Sequence, residues 1–325
     1  MSWLNVQLDV CSLTLTPLTG DAGFRHYYRI QGDTEQPLLA IDSPNEKCNN
    51  QGYYQINLAL EKQNINVPHI RAVDWLQGFF CIEDLGNCLL SDKLTPTTVT
   101  EYYQQALSII PNMFDIKKVD DYELPSYDSA FVQQELNIFT EWLVEQYLSV
   151  DLTKQEQQII ADCFELLVQN VSEQPQAFMH RDFHSRNLMI LADENLAVID
   201  YQDAVLGPIT YDAVSLLKDC YVKWPTITIE QLLGYFINLI EAKYPQWQFT
   251  RSTWLRWFDL MGMQRHFKAA GIFARLHLRD GKNGYLKDIP LTLSYIVELG
   301  ERYPEFSQVA ELINTKILPA LKVKN

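Results

Sequence analysis

His180-Arg181-Asp182-Phe183-His184-Ser185-Arg186-Asn187 is the stretch on which the reading of this chain turns. Asp182 and Asn187 stand five residues apart, and a loop between them lets both side chains enter one cavity. The next segment has the pattern of a hairpin: Asn187-Leu-Met-Ile-Leu191 and Leu196-Ala-Val-Ile199 are apolar runs joined by Ala192-Asp-Glu-Asn195. Asp200 directly follows the second run, thirteen residues after Asn187, and a hairpin of that length returns the chain beside Asn187. A carboxylate and an amide oxygen brought together in this way suit magnesium, which prefers hard oxygen ligands completed by phosphates.

Working outward, residues 1–86 read as strand-rich. Phe24–Ile30, Leu38–Ile41 and Phe79–Ile82 are strand candidates, and Gln77-Gly78 is a turn. One helix is expected between Asn49 and Gln63. From Leu94 the apolar spacing becomes helical, over Thr97–Met113, Ser129–Ser149 and Thr153–Val171, with a capping box at Thr153-x-x-Glu156. Helices resume near Tyr211. The fold class predicted is α+β: a small N-terminal lobe, 1–86, and a larger helical C-terminal lobe, 87–325, that carries the hairpin.

The chain has 325 residues, 26 Lys+Arg against 41 Asp+Glu, and a net charge of −15. Such acidity disfavours nucleic acid, which requires a basic stripe, and anionic membrane surfaces. A hydrophobic fraction of 47% supports a sizeable core. The N-terminus lacks a signal-peptide pattern and no apolar run reaches 18 residues. Six scattered cysteines without a C-x-x-C pair read as reduced thiols. A cytoplasmic monomer with a small-molecule substrate is the expectation.

The pattern H-R-D-x-x-x-x-N is that of the catalytic loop of protein kinases and their relatives. Neither D-F-G nor A-P-E comes after it. Together with Ile199-Asp-Tyr-Gln-Asp203 and Gly207-Pro-x-x-Tyr211-Asp212, it resembles the aminoglycoside/choline phosphotransferase family of small-molecule kinases. The resemblance implies a bilobal protein-kinase-like fold using ATP and Mg²⁺, with Asp182 as the catalytic acid–base residue and Asn187 and Asp200 on the metal. His180 and Asp212 would be structural supports, Asp212 reading equally well as a helix N-cap. Phe80-Cys-Ile-Glu83-Asp-Leu85-Gly86 resembles the interlobe hinge, where the backbone of Glu83 and Leu85 would meet adenine. The turn carrying Gly20 and Gly23, with Arg25 and Arg29 after it, would meet the phosphates, or else be an ordinary hairpin with a solvated basic face. One departure stands out. Kinases carry a lysine at the end of the third strand, and here Leu39-Ala40-Ile41 is followed by Asp42. Arg25, Arg29 or Lys47 would have to supply the charge.

Within the family, Thr19-Gly-Asp-Ala-x-Phe-Arg25-x-Tyr-x-Arg29, Asp42-Ser-Pro44, the segment Tyr211–Pro225 and Gln264–Arg275 resemble a bacterial subgroup, the N-acetylmuramate/N-acetylglucosamine anomeric kinases of cell-wall recycling. That resemblance implies a sugar C1 hydroxyl as acceptor. Arg265, Lys268 and Arg275 share one helix face, fit to receive a carboxylate or phosphate, or merely solvated. Asp219 is a candidate for sugar hydroxyls. Trp224, Trp254 and Trp257 read as stacking platforms or, more commonly, as core. Two alternatives remain open: a choline, homoserine or aminoglycoside-type kinase, and a nucleotide-binding pseudokinase, which Asp42 would favour.

Overall fold

The computed structural model describes residues 2–9, 12–18, 24–120 and 122–324. Its elements, in chain order, are α1 (Ser2–Leu8), β1 (Thr14–Pro17), β2 (His26–Gln31), β3 (Leu38–Asp42), α2 (Asn50–Lys62), β4 (Ile70–Asp74), β5 (Phe79–Glu83), α3 (Val99–Met113), α4 (Ser129–Ile138), α5 (Lys154–Glu173), β6 (Gln176–Met179), β7 (Leu188–Ile190), β8 (Leu196–Val198), β9 (Val205–Pro208), α6 (Tyr211–Leu217), α7 (Thr226–Lys243), α8 (Arg251–Asp280), α9 (Ile289–Arg302), α10 (Ser307–Leu312) and α11 (Leu318–Lys324). The chain divides into two compact units, Met1–Pro125 with His180–Val205, and Ser126–Met179 with Leu206–Asn325.

In the first unit, five antiparallel strands form one sheet in the order β1-β2-β3-β5-β4. Strand alternation gives this sheet two apolar faces. On one, Leu13, Ile30, Leu38, Ala40 and Cys81 pack with Leu4 of α1. On the other, Phe80 meets the ring of Tyr53 from α2 at 5.3 Å. The predicted β7–β8 hairpin forms with Leu188 opposite Val198. It is stitched to this unit, since Val198 N–H donates to Asn66 C=O and Ile190 N–H to Cys88 C=O. Asn57 of α2 donates to the Tyr201 hydroxyl at 2.6 Å, and the rings of Tyr53 and Tyr201 stack at 5.3 Å.

The second unit is helical. Thr153 caps α5 through the capping box with Glu156. The helix expected over Ser129–Ser149 is α-helical to Ile138 and widens into a π-helix over Phe139–Tyr147. Its neighbour α8 carries Gly271, where a Cβ would sit 2.5 Å from the Ile138 carbonyl, so only glycine permits this approach. Trp254 and Trp257 belong to the core, 0% and 5% exposed, 5.9 Å apart. They are core aromatics, with no free face for stacking on a sugar.

His266 is buried in this unit. Its Nε2 lies 3.0 Å from the Lys218 carbonyl and its ring stacks on Tyr295 at 4.4 Å. Burial pushes its pKa down to about 3. The unfolded chain takes up that proton near the ordinary 6.5. The folded chain resists it until about 3, so stability falls as pH drops through that window. The contribution is about 1.4 kcal/mol per pH unit at most. In denaturant titrations at pH 7, 6 and 5, His266→Gln is expected to show a shallower loss of stability than the parent protein. Equal losses in both would contradict this.

Candidate functional site

The loop 180–187 and the end of β8 are joined through one buried ring. The Asp182 N–H donates to His180 Nδ1 at 3.3 Å. The ring proton therefore sits on Nε2, which donates to the Ile199 carbonyl at 3.0 Å. His180 is fully buried and meets Phe183 edge to face. It thus links the backbone of Asp182 to the residue that precedes Asp200. Two non-glycine residues adopt left-handed backbone here, Arg181 at φ 77° and Asp200 at φ 64°. Such conformations cost energy and concentrate where side chains must be aimed. The turn at Arg181 brings the Asp182 N–H back over the His180 ring.

Asn187 closes the arrangement. Its Nδ2 donates to the Asp182 carbonyl at 2.9 Å and to Asp200 Oδ2 at 3.3 Å, and Ile199 N–H donates to its own carbonyl. Asn187 Oδ1 is left without a protein partner among the described residues. Asp200 is exposed, and its Oδ1 accepts from Gln202 at 2.7 Å. The donor set fits magnesium: one exposed carboxylate and one free amide oxygen, both hard, with room for phosphates and water. No group of three or more His, Cys, Asp or Glu close enough to hold a metal ion occurs among the described residues.

Strand β2, helix α2 and the segment after β8 contribute three tyrosines, Tyr27, Tyr53 and Tyr201, that the sequence did not single out. Burial raises the phenol pKa values of Tyr27, Tyr53 and Tyr201, and the charges of Arg25 and Asp200 both act on Tyr27 and Tyr53. Arg25 lies 4.9 Å over the Tyr53 ring. Arg29 is held elsewhere, by Asp84 at 2.5 and 3.1 Å and Asn87 at 2.9 Å, so its charge is compensated. Lys47 sits over Phe24.

Asp42 is the last residue of β3, opposite Phe79 of β5, and Ser43 after it hydrogen-bonds Asn50 of α2. At the expected hinge, Glu83 N–H donates to His69 C=O and Asp84 N–H to Pro37 C=O. The backbone of Leu85 has no protein partner among the described residues and is available to a ligand. Gly20 and Gly23 lie outside the described residues.

In the second unit, Lys268 is not a free cation. It pairs with buried Glu135 at 2.8 Å and donates to the Tyr211 hydroxyl at 3.1 Å. Arg265 lies 5.0 Å over that same Tyr211 ring. Burial lowers the pKa of Arg275, which has no ion-pair partner among the described residues. Asp219 is buried and its Oδ1 accepts from the Tyr221 N–H. Asp212 is buried in the first turn of α6, and the N-cap position belongs to Thr210. Nearby, Lys218 and Arg302 both pair with Asp259, at 2.7 and 2.8 Å, beside a cavity of about 110 Å³ that Trp224 helps to line.

Residues 14–249 match the model of the phosphotransferase enzyme family. The chain is 36% identical over 307 residues to the N-acetylmuramate/N-acetylglucosamine kinase of Pseudomonas aeruginosa, covering 94% of this chain and 89% of the relative. It is 33% identical to the kinase of the same name from Neisseria meningitidis, over 96% and 93% of the two chains. Among solved structures, the choline kinase LicA of Streptococcus pneumoniae superposes with a TM-score of 0.62 at 11% identity, over 90% of this chain and 97% of that one. The ADP-bound aminoglycoside phosphotransferase APH(2'')-Ib gives 0.59 at 14%, over 90% and 96%. These structures show the bilobal, kinase-like α+β fold.

Removing the His180 ring leaves the part-buried Ile199 carbonyl and Asp182 N–H without this partner and unlinks the loop from the residue before Asp200. His180→Ala is therefore expected to lower kcat by about 100-fold, as misplacement of reacting groups does, with far-UV circular dichroism unchanged. A folded variant with the parent's kcat would contradict this.

Proposed function

We propose, because this chain belongs to the phosphotransferase enzyme family, that it transfers the γ-phosphoryl group of ATP to the anomeric hydroxyl of N-acetylmuramate or N-acetylglucosamine. The observation that carries this reading is the double contact of Asn187, whose amide touches Asp182 and Asp200 at once. It supports a phosphoryl-transfer centre made of one proton acceptor and one metal-binding pair. The identity to amino-sugar kinases across nearly the whole chain supports the choice of acceptor.

In this reading Asp182 accepts a hydrogen bond from the C1 hydroxyl and takes its proton as the oxygen bonds to the γ-phosphorus and the bond to ADP breaks. Asn187 Oδ1 and Asp200 would hold magnesium, which would neutralise charge on the phosphates. His180 keeps Asp182 in register with Asp200. Glu83 and Leu85 receive adenine through the backbone; Gly20, Gly23 and Arg25 serve the phosphates, while Arg29 holds the hinge through Asp84. On the acceptor side, Asp219, Arg265 and Arg275 are the candidates, with Lys268 orienting Tyr211 and Asp212 bracing the C-terminal lobe. Nearly all the rate enhancement comes from positioning and fixed charge. The proposal extends to the nucleotide role of residues 1–86, the catalytic and acceptor roles of 87–325, and a cytoplasmic monomer working in cell-wall recycling.

Asp182→Asn is expected to lower kcat for ADP release with either amino sugar by at least a thousandfold while ADP binding persists. Asp200→Ala is expected to lose magnesium-dependent nucleotide binding as well. Near-normal turnover in Asp182→Asn, or release of ADP with choline or kanamycin in preference to the amino sugars, would overturn the proposal.

A further inference from the structure

The missing strand lysine leaves a question that the geometry answers. In kinases that lysine is oriented by an acid on the following helix. Here the helix offers none: Glu61 is the sole acid of α2, and it lies 2.9 Å from His69. Lysine and acid are thus absent together.

We propose that Arg25 is the cation that binds the phosphates of the donor nucleotide, and that Ser43 is its positioning residue. This rests on the reading of the chain as an ATP-dependent kinase and assigns a residue within that site. Arg25 Nε donates to Ser43 Oγ at 3.0 Å, Nη2 donates to the Asn49 carbonyl at 3.1 Å, and the guanidinium lies over Tyr53. Each of these partners is neutral. They use two of the five guanidinium N–H groups and leave three, with the full charge uncompensated by any carboxylate among the described residues. Arg29 is the contrast, since Asp84 takes its charge. A planar, partly desolvated guanidinium with a free edge is the group that recognises phosphate oxygens in pairs.

Ser43 is fixed in turn. Its hydroxyl donates to Asn50 Oδ1, and Asn50 Nδ2 donates back to the Ser43 carbonyl at 2.7 Å. Its N–H donates to Gly78 C=O at 2.9 Å. Gly78 adopts φ 71°, and a Cβ there would lie 2.1 Å from the Ser43 carbonyl, so the β4–β5 turn closes against Ser43 only as glycine. Arg25 is therefore anchored to the end of β3 and the start of α2, the two elements that the lysine–acid pair joins in other kinases. Asp200 acts on the same two phenols as Arg25, Tyr27 and Tyr53, which sets the proposed metal ligand and the proposed phosphate cation about one cluster.

The test is calorimetric binding of ADP and of adenosine to the full chain, with steady-state kinetics where an acceptor is turned over. Arg25→Ala is expected to weaken ADP binding by at least tenfold and to leave adenosine binding unchanged. Arg25→Lys is expected to recover part of the ADP affinity. Ser43→Ala is expected to raise the KM for ATP severalfold without moving the KM for the sugar, which a merely structural loss would not do. ADP affinity unchanged in Arg25→Ala, or equal loss of ADP and adenosine in Arg25→Ala and Arg25→Lys, would overturn the assignment. The ADP comparison needs no acceptor. Failure of every amino sugar as acceptor would thus sink the proposed reaction and leave the Arg25 result standing on its own.

Discussion

One buried imidazole sets the geometry on which the rest depends. His180 accepts from the Asp182 N–H on one nitrogen and donates to the Ile199 carbonyl with the other. No other neutral side chain of that size offers an acceptor and a donor on opposite edges of a rigid ring. The two contacts hold a loop and a strand end together within the first unit, and so fix the backbone of Asp182 relative to the residue before Asp200. Asn187 completes the link from below through its amide. The left-handed backbone at Arg181 and Asp200 is tolerated because the surrounding contacts over-determine it. Stability is given up locally where the loop and the strand end meet.

A second constraint is charge. In a chain of net charge −15, cations are easily neutralised, and most near the sites are. Arg29 is taken by Asp84, Lys268 by Glu135, and Lys218 with Arg302 by Asp259. Arg25 escapes because it is anchored by a hydroxyl, a carbonyl and a ring. Neutral anchors fix a cation without spending its charge, so it remains available to an anion. The acidity of the whole chain is therefore a poor guide to its ligand, and the few cations held by neutral groups are a better one.

Much of this was legible in the sequence, for local reasons. The loop, hairpin and Asp200 lie within twenty-one residues, and their spacing alone brings Asp182, Asn187 and Asp200 together. The capping box at Thr153 is equally local. What escaped depends on distant partners. Helix α1 is seven residues long and buries only Leu4, too little to show a period. Strand β4 carries an irregular register between Ile70 and Ala72 that blurs its alternation. The link from Ser43 to Asn50, which joins the end of β3 to α2, is absent from the local pattern Leu-Leu-Ala-Ile-Asp. The basic face of α8 looked open because Glu135, which neutralises Lys268, lies on another helix. Tyr27, Tyr53 and Tyr201 escaped for the same reason, since three separate segments bring them to one cluster.

The central claim is a reaction at one hydroxyl, carried out by the Asp182 loop. Phosphorus NMR of the purified protein with ATP, Mg²⁺ and N-acetylmuramate, repeated with N-acetylglucosamine, tests it most directly. The account predicts conversion of ATP to ADP with the appearance of an anomeric sugar-phosphate signal. ATP that stays intact with both sugars, or a phosphate that appears on any other hydroxyl, would contradict it.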